Sequence, residues 1–279
     1  MKNLLSVFIC MLIILSLPPC EQKETAQLLN ADNEIRISIF DVGLENVLIC
    51  DASAREIHLG GEDIGQVFLL GDDHRYTAPM MDHYLAVVIG EKTILKDLVA
   101  YEGHFNLAGN MEVCDVDGDH EILLQQTVGM SGGAGSYLSR VFDYCDGEML
   151  EIFSSDNIFK KYSNNMGFSC TLLENHEFRI DNEITGYSEI FHMENRPEEY
   201  FKWWYDVNGK MYQREILVDS FYEFLPIDID GDRVYEIACR QFVSLIGHSD
   251  GIGCAKTVLK YNTATSDFEI IDASFELYN

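Results

Sequence analysis

Asp228-Ile229-Asp230-Gly231-Asp232-Arg233-Val234-Tyr235-Glu236-Ile237 and, earlier, Asp115-Val116-Asp117-Gly118-Asp119-His120-Glu121-Ile122 are two versions of one phrase. In each, aspartates alternate around a glycine and a Glu-Ile pair opens an apolar run. Carboxylates this close repel one another and converge only on something positive. The sequence after each loop is also shared. Glu-Ile-Leu-Leu-Gln-Gln126 corresponds to Glu-Ile-Ala-Cys-Arg-Gln241, and a glycine-containing turn follows at 129–135 and at 247–253. Next come Arg-Val-Phe-Asp-Tyr144 and Thr-Val-Leu-Lys-Tyr261, then Leu-Glu-Ile-Phe153 and Phe-Glu-Ile-Ile271. The offset is 115 residues at Gln126/Gln241 and 117 at Tyr144/Tyr261. A nearly constant offset through consecutive elements marks an internal repeat, with halves at roughly 35–155 and 156–279. One such unit could not bury its own apolar face, so the expected fold is all-β, either β-propeller-like or a series of repeated small antiparallel sheets.

Short β-branched or aromatic segments at 34–40, 47–50, 66–70, 84–89, 121–127, 138–144, 201–205, 236–242 and 257–261 read as strands. Asn-Gly, Asp-Gly and Gly-Gly turn signals separate them. Asp156 to Asn164 is the best stretch for a short helix.

The chain has 279 residues, 47% of them apolar and 11% aromatic, which is ample for a packed core. Its formal charge of −28 would repel phosphate backbones, so nucleic acid is excluded as a partner. Lys2, the apolar run Leu4 to Leu17, and Pro18-Pro19 before Cys20 look like a bacterial lipoprotein leader at 1–20, with Cys20 as the lipidated residue. The polar residues 21–34 then read as a tether, and 35–279 as the repeat domain. That arrangement places the chain in the cell envelope, on the extracellular face of the membrane or in the periplasm, with the membrane a partner through the lipid. The six cysteines past the leader include no Cys-x-x-Cys pair, and Cys114 and Cys239 fall in apolar strand contexts suited to buried thiols.

The second loop resembles the calcium loops of the phenylalanine-glycine/glycine-alanine-proline repeats and related repeats of bacterial surface proteins (FG-GAP/VCBS-like), which are similar to integrin-type β-propeller blades. That resemblance implies aspartates at loop positions one, three and five and a carboxylate at nine, a spacing that Asp228, Asp230, Asp232 and Glu236 match. The Val234 carbonyl would supply a further ligand. A hard cation such as Ca²⁺ takes six to eight oxygens in flexible geometry, so a structural Ca²⁺ is expected here. The first loop offers Asp115, Asp117 and Asp119, but Glu121 arrives at position seven. Its metal set is therefore the weaker of the two.

Enzyme chemistry has less support. Gly129-Met-Ser131-Gly-Gly133 fits a nucleophile pattern without the following helix that pattern needs. His248-Ser249-Asp250 holds triad letters without triad geometry. Trp203-Trp204, with Tyr200 and Tyr205, is a candidate ligand platform, although strand alternation would send one Trp inward. The sequence thus predicts an exported, calcium-stabilised binding or structural domain with a surface protein or glycan as partner. The alternative is a surface hydrolase with a carboxylate pair.

Overall fold

The computed structural model describes residues 29–31, 34–39, 44–49, 55–58, 64–72, 83–89, 92–98, 106–128, 137–193, 196–212, 216–247 and 249–278. The leader, Cys20, the Gly129–Gly133 turn with Ser131, and His248 lie outside them.

Among the described residues the fold is all-β, in four separate sheets. The first contains β1 (Leu29–Ala31), β2 (Glu34–Ile39), β3 (Leu44–Ile49), β4 (Arg55–His58), β5 (Ile64–Asp72), β6 (His83–Ile89) and β7 (Lys92–Leu98), in the order β1-β2-β3-β5-β6-β7 with β4 also paired to β5. β1 lies within the run expected to be a tether and pairs with Glu34 to Arg36. The second sheet is a meander of β8 (Asn106–Cys114), β9 (Glu121–Val128), β10 (Tyr137–Cys145) and β11 (Glu148–Ser154). The third holds β12 (Phe168–Leu172), β13 (Glu177–Asn182) and β14 (Tyr187–His192). The fourth is another meander, of β15 (Leu217–Ile227), β16 (Glu236–Ser244), β17 (Gly251–Asn262) and β18 (Asp267–Leu277).

The expected propeller is therefore corrected. A propeller repeats one four-stranded blade around a channel, whereas these sheets have seven, four, three and four strands and none closes into a barrel or propeller. The internal repeat itself is present as the two four-stranded meanders. Each places its Asp-rich loop between its first and second strands.

Two compact units emerge, Met1–Gly129 with Val141–Glu151, and Met130–Arg140 with Ile152–Asn279. In the first, alternating positions bring Ile57, Val67, Leu69, Leu85, Val87 and Leu98 together with Met111, Ile122, Leu124 and Phe142 in one buried cluster. The second is built on aromatics. Phe153 stacks on Phe224 at 5.4 Å and meets Phe268 edge-on at 5.1 Å, while Phe178 and Phe221 are fully buried. Cys114 and Cys239 are buried free thiols.

The helix α1 (Ser155–Tyr162) forms where expected. Asp156 in its first turn and Lys160 and Lys161 in its last complement the helix dipole, and Ile158 is its buried apolar contact. Lys161 reaches Asp267 at 2.7 Å, but both side chains are well exposed. Lys161→Ala is accordingly expected to cost about 1 kcal/mol or less in a denaturant melt. A larger loss would show that this ion pair, rather than Ile158, anchors the helix.

The segment Phe201 to Tyr205, expected as a strand, is instead the end of α2 (Glu198–Phe201) and a 3₁₀ turn at Lys202–Trp204. Trp204 is buried and Trp203 is 64% exposed. One Trp does point inward, but through helical rotation rather than strand alternation.

Candidate metal centre

Both loops are built alike at their entrance. The first aspartate turns back on the chain, with the Gly118 amide donating to Asp115 Oδ1 at 2.6 Å and the Gly231 amide donating to Asp228 Oδ1 at 2.7 Å. Both glycines have positive φ, 127° and 80°, which a side chain would resist. The closing glutamate is also shared. Glu121 and Glu236 each open the second strand of a meander, and each is buried, at 0% and 2% exposure. Each also accepts a hydrogen bond from the amide after the first aspartate, Val116 to Glu121 Oε2 at 2.6 Å and Ile229 to Glu236 Oε2 at 3.3 Å.

The two sites part at the other oxygen of that glutamate. Glu236 Oε1 accepts from Lys260 Nζ at 2.5 Å, and the same ammonium lies 3.8 Å from Asp230. Burial would raise the Glu236 carboxyl, but Lys260 and the Ile229 amide outweigh it and hold the group below the ordinary glutamate range. The aspartates of this loop are exposed and gather oxygens within 4.8 Å of one another, without Glu236 in the group. Val234 enters through its amide, which donates to Asp232 Oδ1 at 2.8 Å.

In the first loop Glu121 Oε1 is buried and has no hydrogen-bond partner. Its carboxylate joins two clusters in which one oxygen of each residue lies within 4.8 Å of the others. One is Asp115, Asp117 and Glu121, and the other is Asp119, Glu121 and Asp143. The shorter loop, in which Glu121 follows the last aspartate by two residues instead of four, draws the aspartates over the buried glutamate. Burial, followed by Asp119 and Asp117, pushes the Glu121 carboxyl up to about 10. Burial and the same two aspartates raise Asp143, and burial and Asp119 raise Asp117. No basic side chain stands among these influences. An all-oxygen, all-carboxylate set suits a hard divalent cation. His120 fixes the loop to β4, its Nδ1 accepting from the His58 amide at 3.2 Å and its own amide donating to the His58 carbonyl at 3.3 Å.

The geometry thus gathers more carboxylates, one of them buried, at the loop that spacing alone ranked second. Asp143 and Lys260, which decide between the two loops, escaped the spacing argument because they sit on a later strand. The signal for them was in the repeat, since each precedes its matched tyrosine, Tyr144 or Tyr261.

The pairing in the second loop carries a pH dependence. A carboxyl whose folded value lies below its unfolded one contributes stability above about pH 4.3, the ordinary glutamate value, and loses it as pH falls through the folded value. Amide protection factors in β16, taken against the intrinsic rate at each pH, are expected to fall on acidification through that range, and less so in Glu236→Gln. Equal acid sensitivity in the two proteins would count against the pair.

Residues 166–276 match the family described as YybI C-terminal domain, a stretch that takes in the third and fourth sheets but not the first loop. A Bacillus subtilis (strain 168) protein described as "Uncharacterized protein YybI" is 23% identical over 202 residues, 71% of this chain and 74% of the relative. These similarities replace the resemblance to FG-GAP-type propeller repeats, whose propeller and calcium-loop architecture the described residues do not show. The attributes of a surface lipoprotein, a membrane protein and a calcium-binding propeller are likewise not carried by the family that matches.

Proposed function

We propose that this chain is a non-enzymatic binding or structural domain whose first acidic loop is closed by a hard divalent cation. The observation that carries this reading is Glu121 Oε1, a fully buried carboxylate oxygen without a partner, set among Asp117, Asp119 and Asp143. A proton on Glu121 would neutralise one of these charges. A divalent cation would neutralise two and accept oxygens from several carboxylates at once. The ion would stabilise the fold by binding the native loop and not the unfolded chain.

The binding side of the proposal rests on the exposed apolar residues around the 3₁₀ turn. Trp203 and Tyr205 offer ring faces for a protein or glycan to stack on, and Val207 is exposed beside them in the chain. This part would be overturned if Trp203→Ala bound an immobilised glycan panel with the same pattern and strength as the parent protein.

Calorimetric titration of the metal-stripped full chain with Ca²⁺, and separately with Mg²⁺, tests the cation. The expected result is one ion per chain for at least one of them, with affinity reduced tenfold or more in Glu121→Gln. No heat of binding at millimolar concentrations of either ion would overturn the reading.

A further inference from the structure

We infer that Lys260 is a tethered cation doing in the second loop what a free divalent ion does in the first, so that the two copies of one motif divide into an ion-dependent and an ion-independent form. The inference rests on the cation reading of the first loop and extends it to the determinant of ion dependence.

Lys260 occupies the position of Asp143 in the repeat, one residue before the matched Tyr261 and Tyr144. Register places Lys260 beside Glu236, because Ile237 pairs with Leu259 across β16 and β17. Its ammonium touches the buried glutamate at 2.5 Å and approaches Asp230 of the loop at 3.8 Å. It therefore links the strand carboxylate to the Asp-x-Asp-Gly-Asp turn, as a bridging metal ion would. The lysine carries its positive charge on a flexible stem, and its three N–H donors can serve several oxygens at once. The remaining charge in this loop needs no second cation, since Asp228, Asp230 and Asp232 are exposed to solvent and screened by it.

In the first meander the corresponding side chain is the carboxylate of Asp143, which adds charge to Glu121 where Lys260 removes it from Glu236. One position thus sets the net charge of each loop. Lysine there completes the site from within the chain, whereas aspartate leaves it to be completed from solution.

The test is ion stoichiometry by calorimetry with Ca²⁺ and Mg²⁺ on the full chain, in the parent protein, Lys260→Asp and Asp143→Lys. The expected result is one ion for the parent, two for Lys260→Asp and none for Asp143→Lys, with the melting midpoint of Asp143→Lys insensitive to chelator. A parent that binds one ion while Lys260→Asp also binds only one overturns the role of Lys260 and leaves the first site standing. So does a parent that binds two. A parent that binds no ion overturns the cation reading itself and this inference with it. If Lys260→Asp folds only with ion present, its refolding on addition of Ca²⁺ or Mg²⁺ supports the inference. If it fails to fold at any ion concentration, Asp143→Lys decides. Retained ion binding or a chelator-sensitive midpoint in that variant overturns the inference, and loss of both upholds it.

Discussion

Chelating divalent ions away from the protein is expected to lower the melting midpoint of the unit containing the first loop by roughly 5 to 10 °C, and to speed hydrogen exchange in β9 while leaving β16 unchanged. The size follows from linkage. An ion present at about one hundred times its dissociation constant stabilises the folded state by about 2.7 kcal/mol. For a unit of this size each kcal/mol moves the midpoint by about 2–4 °C. The location follows from the hydrogen bonds. Once the counter-charge is withdrawn, Glu121 must take up a proton or open its contact with the Val116 amide, and the loop that Asp115 folds back on Gly118 loses its closing point. β16 is insulated because Glu236 has its partner within the chain. Mass-resolved exchange of peptides spanning 111–124 and 229–243, with and without chelator, checks both halves of the prediction. Equal acceleration in the two peptides would show that the loops do not differ in their need for an ion.

Gly253→Ala is expected to cost about 3 kcal/mol, measured as a shift in urea midpoint at constant slope. Gly253 lies in β17, between β16 and β18, where it pairs with Val243 and Leu277. A methyl group there would enter the space of the Phe275 ring tip and of the Glu276 backbone carbonyl. An aromatic ring can rotate away, but a strand carbonyl held in a sheet cannot. The cost arises from steric overlap rather than from a special backbone angle, so Gly253→Ser should lose as much stability as the alanine variant. A cost below about 1 kcal/mol in either would mean that β18 yields more readily than its pairing suggests.

The repeat was legible because both copies keep their turn chemistry and apolar strands at a steady offset. The helix at Ser155–Tyr162 was legible from the same kind of local pattern, with acid at its start and base at its end. The propeller was not a sound extension of that repeat. Two blade-like segments say nothing of what lies between them, where β12 to β14 form a three-stranded sheet with an alternation carried by Phe178, Ile180 and Asn182. The strand expected at 201–205 failed for a different reason. Its aromatic residues favour strands in general, but Pro197 followed by Glu198 and Glu199 is a helix start, and that local signal prevailed. The part of Asp143 in the first loop's cluster was not legible because spacing along one loop is blind to the neighbouring strand. Asp143 lies 22 residues after Glu121, and only the pairing of strands brings their oxygens together.

The strand β10 begins in one unit and ends in the other, since Leu138 to Arg140 belong with the aromatic core and Val141 to Cys145 with the aliphatic one. No single cut at a gap between strands would therefore leave both units intact. A fragment beginning at residue 166, where the family match begins, would omit Phe153 with its contacts to Phe224 and Phe268, and Tyr137 with its amide donating to Ser220 Oγ. Such a fragment would be a sheet deprived of part of its floor. A fragment that keeps the C-terminal unit whole must begin at residue 130, and it then takes residues 141–151 away from the other unit.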